Sequence, residues 1–315
     1  MPRRAGYSAF KGPRLVPPAV AVRPSGLHGL IMAAVKPNTT RDYLRAIFAW
    51  DFWYRLFGDF TEPYSQSLAD YVFWCFDSGE VSKSQVINLL CGIAALRPSW
   101  KLTILPLSWK AVKGWSKQVP TTSYLPVPRP VLLACAAALV KRGYWMVGLA
   151  LIVGFDGYLR HGELRTLRVR DVSFVGNFAV LLLLDPKSGR EQPVTTSSPF
   201  VIRCLRRLVR DRPDSDFLFG KHRRDLLPLF RQSQLWVGYS CPIFVIHSLR
   251  HGGATHDYVY SLRDLNGIMV HGRWAGLPVT RTYIHESQVL ILQARAPVPA
   301  TDPGAMVFLL SWLLS

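Results

Sequence analysis

Apolar residues return at helical spacing soon after a proline- and glycine-rich start. In NTTRDYLRAIFAWDFWYRLFG, Tyr43, Leu44, Ile47, Phe48 and Trp50 follow the capping candidates Thr39 and Thr40, which predicts an amphipathic helix. The same period predicts a second helix over Ser65–Phe76 and a third over Ser82–Leu96, the latter with Val86, Leu89, Leu90 and Ile93 on one face. A shorter one covers Ser108–Lys117. These make a small helical domain over 39–117, preceded by a segment, 1–38, whose composition reads as disordered.

The pattern breaks in QVPTTSYLPVPRP, which has four prolines and no period. Such composition does not pack a core, so 118–128 reads as a linker. Helical patterning resumes in RPVLLACAAALVKRG and GYWMVGLALIVGFDGYLRHGELRTL. Between 169 and 196 the chain turns β-branched and apolar, with breaks at GN and PKSG, predicting three short antiparallel strands. Helices return in PFVIRCLRRLVRDR, RRDLLPLFRQSQLW and IHSLRHGGATH. The fold class is therefore mainly α with a small antiparallel β-sheet. A second domain spans 129–292, and an apolar tail spans 293–315. The aromatic and aliphatic stripes of both domains read as core.

Composition adds a partner class. The chain has 315 residues, 49% hydrophobic, with 38 Lys+Arg against 20 Asp+Glu, a formal charge of +18. So large an excess favours a polyanionic partner, most often nucleic acid; a basic solubility surface is the plainer alternative. The segment before Asp42 carries Arg3, Arg4, Lys11, Arg14, Arg23 and Lys36 with no acidic residue. It fits a basic arm on DNA phosphates or an organelle transit segment equally. Cys75, Cys91, Cys135, Cys204 and Cys241 form no CxxC pair, so no metal site is expected, and reduced core thiols in the nucleus or cytoplasm fit them. No apolar run of about 20 residues predicts a membrane span. The closing AMVFLLSWLLS suits a packing helix or a partner-binding tail.

The candidate chemistry lies in the second domain. His247 and Arg250 in HSLRHGGATH share a helix face one turn apart, an arrangement that suits an anion between them. Arg160 and Glu163 stand in GYLRHGELRTL. Lys187 stands at the hairpin tip PKSGR, where Arg190 is a rival. Trp274 precedes Tyr283 by nine residues in HGRWAGLPVTRTYIH. Each signal alone is weak, and each has a structural alternative: a surface arginine at a helix start, a basic hairpin tip, a core tryptophan, a buried tyrosine. His251 reads as structural, and His271 and His285 as incidental.

In this order and spacing the residues resemble the catalytic domain of the tyrosine recombinases, the phage-integrase family, over about 129–288. GYLRHGEL is similar to that family's arginine stretch, HSLRH to its HxLRH box, and Tyr283 falls at its nucleophile. Trp274 falls where most members have histidine and some tryptophan. The composition and the GRW variant are similar to integrases carried by eukaryotic mobile elements.

The resemblance implies a helical DNA-binding (core-binding) domain over 39–117 and an integrase-like α+β catalytic domain. It implies a site-specific DNA recombinase or integrase working through a covalent 3′-phosphotyrosine, without cofactor or metal. The two guanidiniums of Arg160 and Arg250 would grip the non-bridging oxygens. Tyr283 would attack phosphorus. His247 would take a proton or donate to the phosphate, and Lys187 would protonate the departing 5′ oxygen. Trp274 would donate its indole N–H or buttress the site, and Glu163 would orient its neighbours. The implied partners are double-stranded DNA and three further copies of the chain, a homo-tetramer on two DNA sites. Members hold that tetramer with a helix after the tyrosine, a region that APVPATDPG interrupts here. A type IB topoisomerase-like enzyme is the alternative with similar chemistry. A catalytically dead DNA-binding relic of a mobile element is the non-enzymatic one.

Overall fold

The computed structural model describes residues 34–119, 123–184 and 191–314, together with Gly29. Most of the 1–38 segment, the middle of the 118–128 linker, and the hairpin tip with Lys187 and Arg190 lie outside the described residues. The chain divides into two compact units, 1–122 and 123–315.

The first unit is helical: α1 (Pro37–Phe57), α2 (Tyr64–Ser78), α3 (Lys83–Leu96), the single turn α4 (Trp100–Thr103) and α5 (Leu105–Gln118). Helix α3 begins at a full capping box, in which Ser82 Oγ accepts from Gln85 N and the Gln85 side chain accepts from Ser82 N. Helix α1 starts earlier than Thr39 and Thr40 predict, because Pro37 takes the first helical turn, where its missing N–H and fixed φ cost nothing. Its buried face also differs from expectation. Ala46, Trp50 and Trp53 pack inward against Leu68, Tyr71, Leu89 and Leu90, while Leu44 and Phe48 are 39% and 61% exposed.

The second unit contains α6 (Arg129–Lys141), α7 (Trp145–Asp156), α8 (His161–Thr166), β1 (Val172–Val175), β2 (Phe178–Leu184), β3 (Glu191–Thr196), α9 (Pro199–Val209), α10 (Leu226–Trp236), α11 (Ile246–Val259), α12 (Leu265–Gly272), α13 (Leu277–Arg281), α14 (Glu286–Ala294) and α15 (Gly304–Leu314). The three strands form one antiparallel sheet in the order β1-β2-β3, with Val172 opposite Leu181 and Leu181 opposite Val194. Gly176, at φ 55°, turns β1 into β2. The fold is thus mainly α with a small antiparallel sheet.

Helices α6 and α7 are apolar all round and form the centre of the core. Two ends of the chain's second half join that core. Pro126, Val127 and Pro128 are buried, so the final residues of the 118–128 stretch do pack, with Val127 N donating to Ser248 O. The apolar tail closes as α15, with Leu309 fully buried and Trp312 against Trp145. It is a packing helix of its own unit. Glycines 252 and 253 let α11 enter this core. A Cβ on Gly252 would stand 2.3 Å from Val127 O, and one on Gly253 2.1 Å from Phe155 O.

Among the described residues no helix is long and apolar enough to cross a membrane. Cys75, Cys135 and Cys204 are buried free thiols. Two arginines of the basic α9 stretch lie over aromatic rings, Arg206 over Phe174 and Arg207 over Trp312.

Candidate active site

Arg160 sits at the N-cap of α8 in extended conformation. Three residues on, Glu163 reaches back, and its Oε2 accepts from Arg160 N at 2.7 Å. This is the carboxylate half of a capping box, and it accounts for the R-x-x-E spacing. The same carboxylate accepts from two guanidiniums: Oε1 from Arg160 Nη1 and Oε2 from Arg273 Nη2, both at 2.9 Å. Arg160 stays half-exposed, whereas Arg273 is buried.

Helix α11 supplies His247, Arg250 and His251. Arg250 has no exposed surface. Its Nη1 donates to Tyr158 O and its Nη2 to Gly272 O at 2.5 Å, while Nε has no partner among the described residues. Among the described residues it forms no ion pair; its acceptors are neutral carbonyls. Burial, with Arg160 and Arg273 nearby, presses its pKa down to about 10, which leaves it a cation at neutral pH. A sealed guanidinium without a carboxylate is costly and marks a place built for an anion.

Both carbonyls are aimed by unusual backbone. Tyr158 has φ 46°, a strained value for a side chain of this size. Its ring is fixed by an O–H bond of 2.5 Å to Asp257 Oδ2, which also accepts from Arg263. Gly272 ends α12, and Arg273 follows in the left-handed region at φ 56°. That turn throws Trp274 back so closely that a Cβ on Gly272 would stand 2.3 Å from its ring.

Trp274 and Tyr283 stack at 4.3 Å between centroids. His251 covers the phenol at 4.6 Å, and the Arg250 guanidinium carbon lies 5.3 Å from it. The His247 ring is 5.9 Å away. Thr255 Oγ1 donates to Tyr283 O and accepts from His285 N, each at 3.1 Å, pinning the tyrosine segment to α11. Burial lowers the pKa of His247, helped by Arg250 and Arg160, so it is a neutral base at pH 7. His251 is pressed down to about 3 by burial and by His247, His285 and Arg250.

Arg160, Glu163, His247, Arg250, Trp274 and Tyr283 therefore come together, and Lys187 lies outside the described residues. Sequence reasoning missed Arg273, Tyr158 and Thr255, and read as incidental His285, whose ring meets His251. Among the described residues no group of His, Cys, Asp and Glu could hold a metal.

No protein-family profile matches the chain, and no curated protein does. Solved structures do. XerH site-specific recombinase, in a post-cleavage complex with its palindromic difH substrate, is 16% identical with a TM-score of 0.57, covering 81% of this chain and 78% of its own. Lambda integrase, a tetramer on a Holliday junction, is 13% identical with a TM-score of 0.54, covering 82% and 75%. The Tn1549 transposon integrase, bound to circular intermediate DNA, is 14% identical with a TM-score of 0.59, covering 81% and 94%. The fold is that of site-specific recombinases and integrases.

Proposed function

We propose that this chain is a tyrosine recombinase, cutting and rejoining DNA strands through a covalent 3′-phosphotyrosine. The observation that carries the reading is Arg250: a sealed guanidinium with no carboxylate partner among the described residues, beside Arg160 and Arg273, with a tyrosine over it. Phosphoryl transfer needs donors fixed where charge develops on the non-bridging oxygens. Arg250 and Arg160 fill that need, and Glu163 holds Arg160 and Arg273 in place.

In the reaction, the Tyr283 Oη–P bond forms as the P–O5′ bond breaks. The phenol proton passes to neutral His247, and the 5′ oxygen takes a proton from Lys187, which lies in sequence between β2 and β3. The phosphodiester energy stays in the tyrosyl ester, so a 5′ hydroxyl reseals the strand without cofactor. Trp274 buttresses the phenol by stacking, and its indole N–H, buried without an acceptor among the described residues, is available to a phosphate oxygen. Because no atom of Arg250 meets solvent, the phosphate enters as the side chains above it move, Tyr283 first among them.

The partner is duplex DNA, held by phosphate contacts that respond steeply to salt. Strand exchange between two sites requires four copies. Helix α15 is committed to its own core here, so the copies assemble through other surfaces or after its release. Such an enzyme works in the nucleus or the cytoplasm.

The test is capture of protein–DNA adducts under denaturing conditions, offering random-sequence duplexes and fragmented genomic DNA to wild type and Tyr283→Phe. Adducts from wild type alone support the reading, and sequencing them yields the site. Salt-sensitive binding without adducts on either DNA makes the chain a non-catalytic DNA-binding protein. Adducts and relaxation by monomers on single sites favour the topoisomerase-like alternative.

A further inference from the structure

Four side chains near Tyr283 and its proton acceptor His247 belong to no step above: His251, His285, Tyr124 and Ser123. His247, His251 and His285 stand in a row, with 5.1 Å between centroids at each step. Tyr124 covers one end of the row, its ring 4.8 Å from His247 edge-to-face and 6.1 Å from His251. Ser123 closes the other, its Oγ 3.2 Å from His285 Nε2. That same nitrogen is 3.0 Å from His251 Nδ1.

The hydrogen bonds assign the protons. The backbone of Thr282 favours a proton on the His285 ring. Nε2 faces His251 and Ser123, so that proton falls to Nδ1. Neutral His285 then presents a bare Nε2, which accepts from His251 Nδ1–H and from the Ser123 hydroxyl. His251 in turn keeps a bare Nε2 on its far side. A second proton between the two rings would set N–H against N–H, so the pair resists charging. The cations facing the row are Arg250, from α11 itself, and Arg160, from the start of α8. Both oppose a charged imidazole.

We propose that Ser123 and Tyr124 are positioning residues: a strap that holds the row His247–His251–His285 in register with Tyr283. Tyr124 fixes the His247 ring and shields it from water, so that its free nitrogen meets the phenol proton. Ser123 fixes the His285 tautomer, which through His251 sets the opposite wall of the phenol. The proposal rests on Tyr283 being the nucleophile and His247 its proton acceptor. The strap touches no reacting atom and acts through the imidazoles.

The experiment uses the full chain and the variants Tyr124→Ala, Tyr124→Phe and Ser123→Ala. Tyr124 is 54% exposed, so the fold tolerates its removal; thermal unfolding of each variant checks this. Imidazole nitrogens are first titrated by NMR without DNA. In wild type His247 titrates below the ordinary histidine value. In Tyr124→Ala it moves up toward that value, since burial is the main cause of its depression, while Tyr124→Phe keeps the wild-type curve. In Ser123→Ala the His251 and His285 resonances change tautomer signature. On DNA captured by wild type, Tyr124→Ala forms adducts at least about tenfold more slowly with DNA affinity unchanged. The acid limb of its pH–rate profile moves up, and Tyr124→Phe restores the rate. A wild-type His247 titration curve in Tyr124→Ala overturns the strap, as does an unchanged pH–rate profile. Failure of wild type to form adducts overturns the recombinase reading instead, and the DNA-free titration still decides whether Tyr124 controls His247.

Discussion

Trp274 lies almost parallel to Tyr283, with ring centroids 4.3 Å apart and planes 23° from parallel. Behind it Tyr158 continues the stack at 5.9 Å and 21°. The Arg250 guanidinium sits over both Trp274 and Tyr283. The tryptophan thus joins the residue that aims Arg250 to the proposed nucleophile, and it can only do so as a large flat ring. An imidazole in its place could move a proton but would cover less of the phenol.

Trp274→Phe and Trp274→Ala separate these contributions. Trp274 is 9% exposed, and emptying so buried a site costs about 3 kcal/mol or more. Trp274→Ala therefore lowers the denaturant midpoint clearly and abolishes adducts. Trp274→Phe keeps a stack, so its stability falls by about 1 kcal/mol. Any further loss of adduct rate in Trp274→Phe measures the indole N–H. Equal adduct rates in Trp274→Phe and wild type would leave that N–H without a role.

Glu163 is predicted to matter more than its position beside the chemistry suggests. Its carboxylate accepts from both Arg160 and Arg273. Glu163→Gln keeps the shape but removes the charge, leaving the buried Arg273 guanidinium facing a neutral amide. The expected cost is about 2 kcal/mol of stability, chiefly from Arg273, since Arg160 is half-exposed and its pair is screened. Adduct formation should fall by about a hundredfold, because Arg160 is no longer oriented. Urea unfolding and single-turnover adduct rates check the two arms.

The sequence carried much of this, and its failures have physical causes. Helices and the hairpin were legible because their signals are local: apolar period, Ser82 and Gln85 at a cap, Gly176 at a turn. HxLR was legible because one helical turn fixes it. The inward face of α1 was not, since Phe52, Trp53, Leu56 and Phe57 add to Tyr43, Leu44, Ile47, Phe48 and Trp50 so that apolar positions surround much of the helix, and only tertiary partners choose among them. Tyr158 and Arg273 gave no signal because each adopts left-handed backbone that composition assigns to glycine. Tyr124 and Ser123 were hidden in a stretch whose prolines announced a linker.

The buried histidines make the fold acid-sensitive. His251 has a pKa of about 3, and His256 and His271 of about 4, each lowered chiefly by burial from an ordinary 6.5. The unfolded chain therefore binds more protons than the folded one between pH 6.5 and 4. Stability is full above pH 6.5 and is lost as pH falls through that window, at about 1.4 kcal/mol per unit for each such residue. Unfolding midpoints measured from pH 7.5 to 4.5 should fall steeply below 6.5. A His251→Gln variant should flatten the slope. A midpoint independent of pH across that range would mean that these rings are charged or exposed in the folded protein.

Removal of α15 distinguishes a structural helix from a tethering one. Leu309 is fully buried and Ala305 nearly so, within the same core as α6 and α7. Phe308 carries the Lys141 ammonium over its ring, and Trp312 packs against Trp145 while Arg207 covers it. Burying a leucine together with parts of two aromatic rings stabilises by roughly 5 kcal/mol, comparable with the whole stability of an ordinary domain. Deletion of 304–315 is therefore expected to unfold or aggregate the second unit. The milder Leu309→Ala should cost about 3 kcal/mol, read as a lower urea midpoint, with little change in sedimentation. If both changes leave the midpoint where it was and alter only assembly on DNA, the helix is not held by its own core and is free to serve a neighbouring copy.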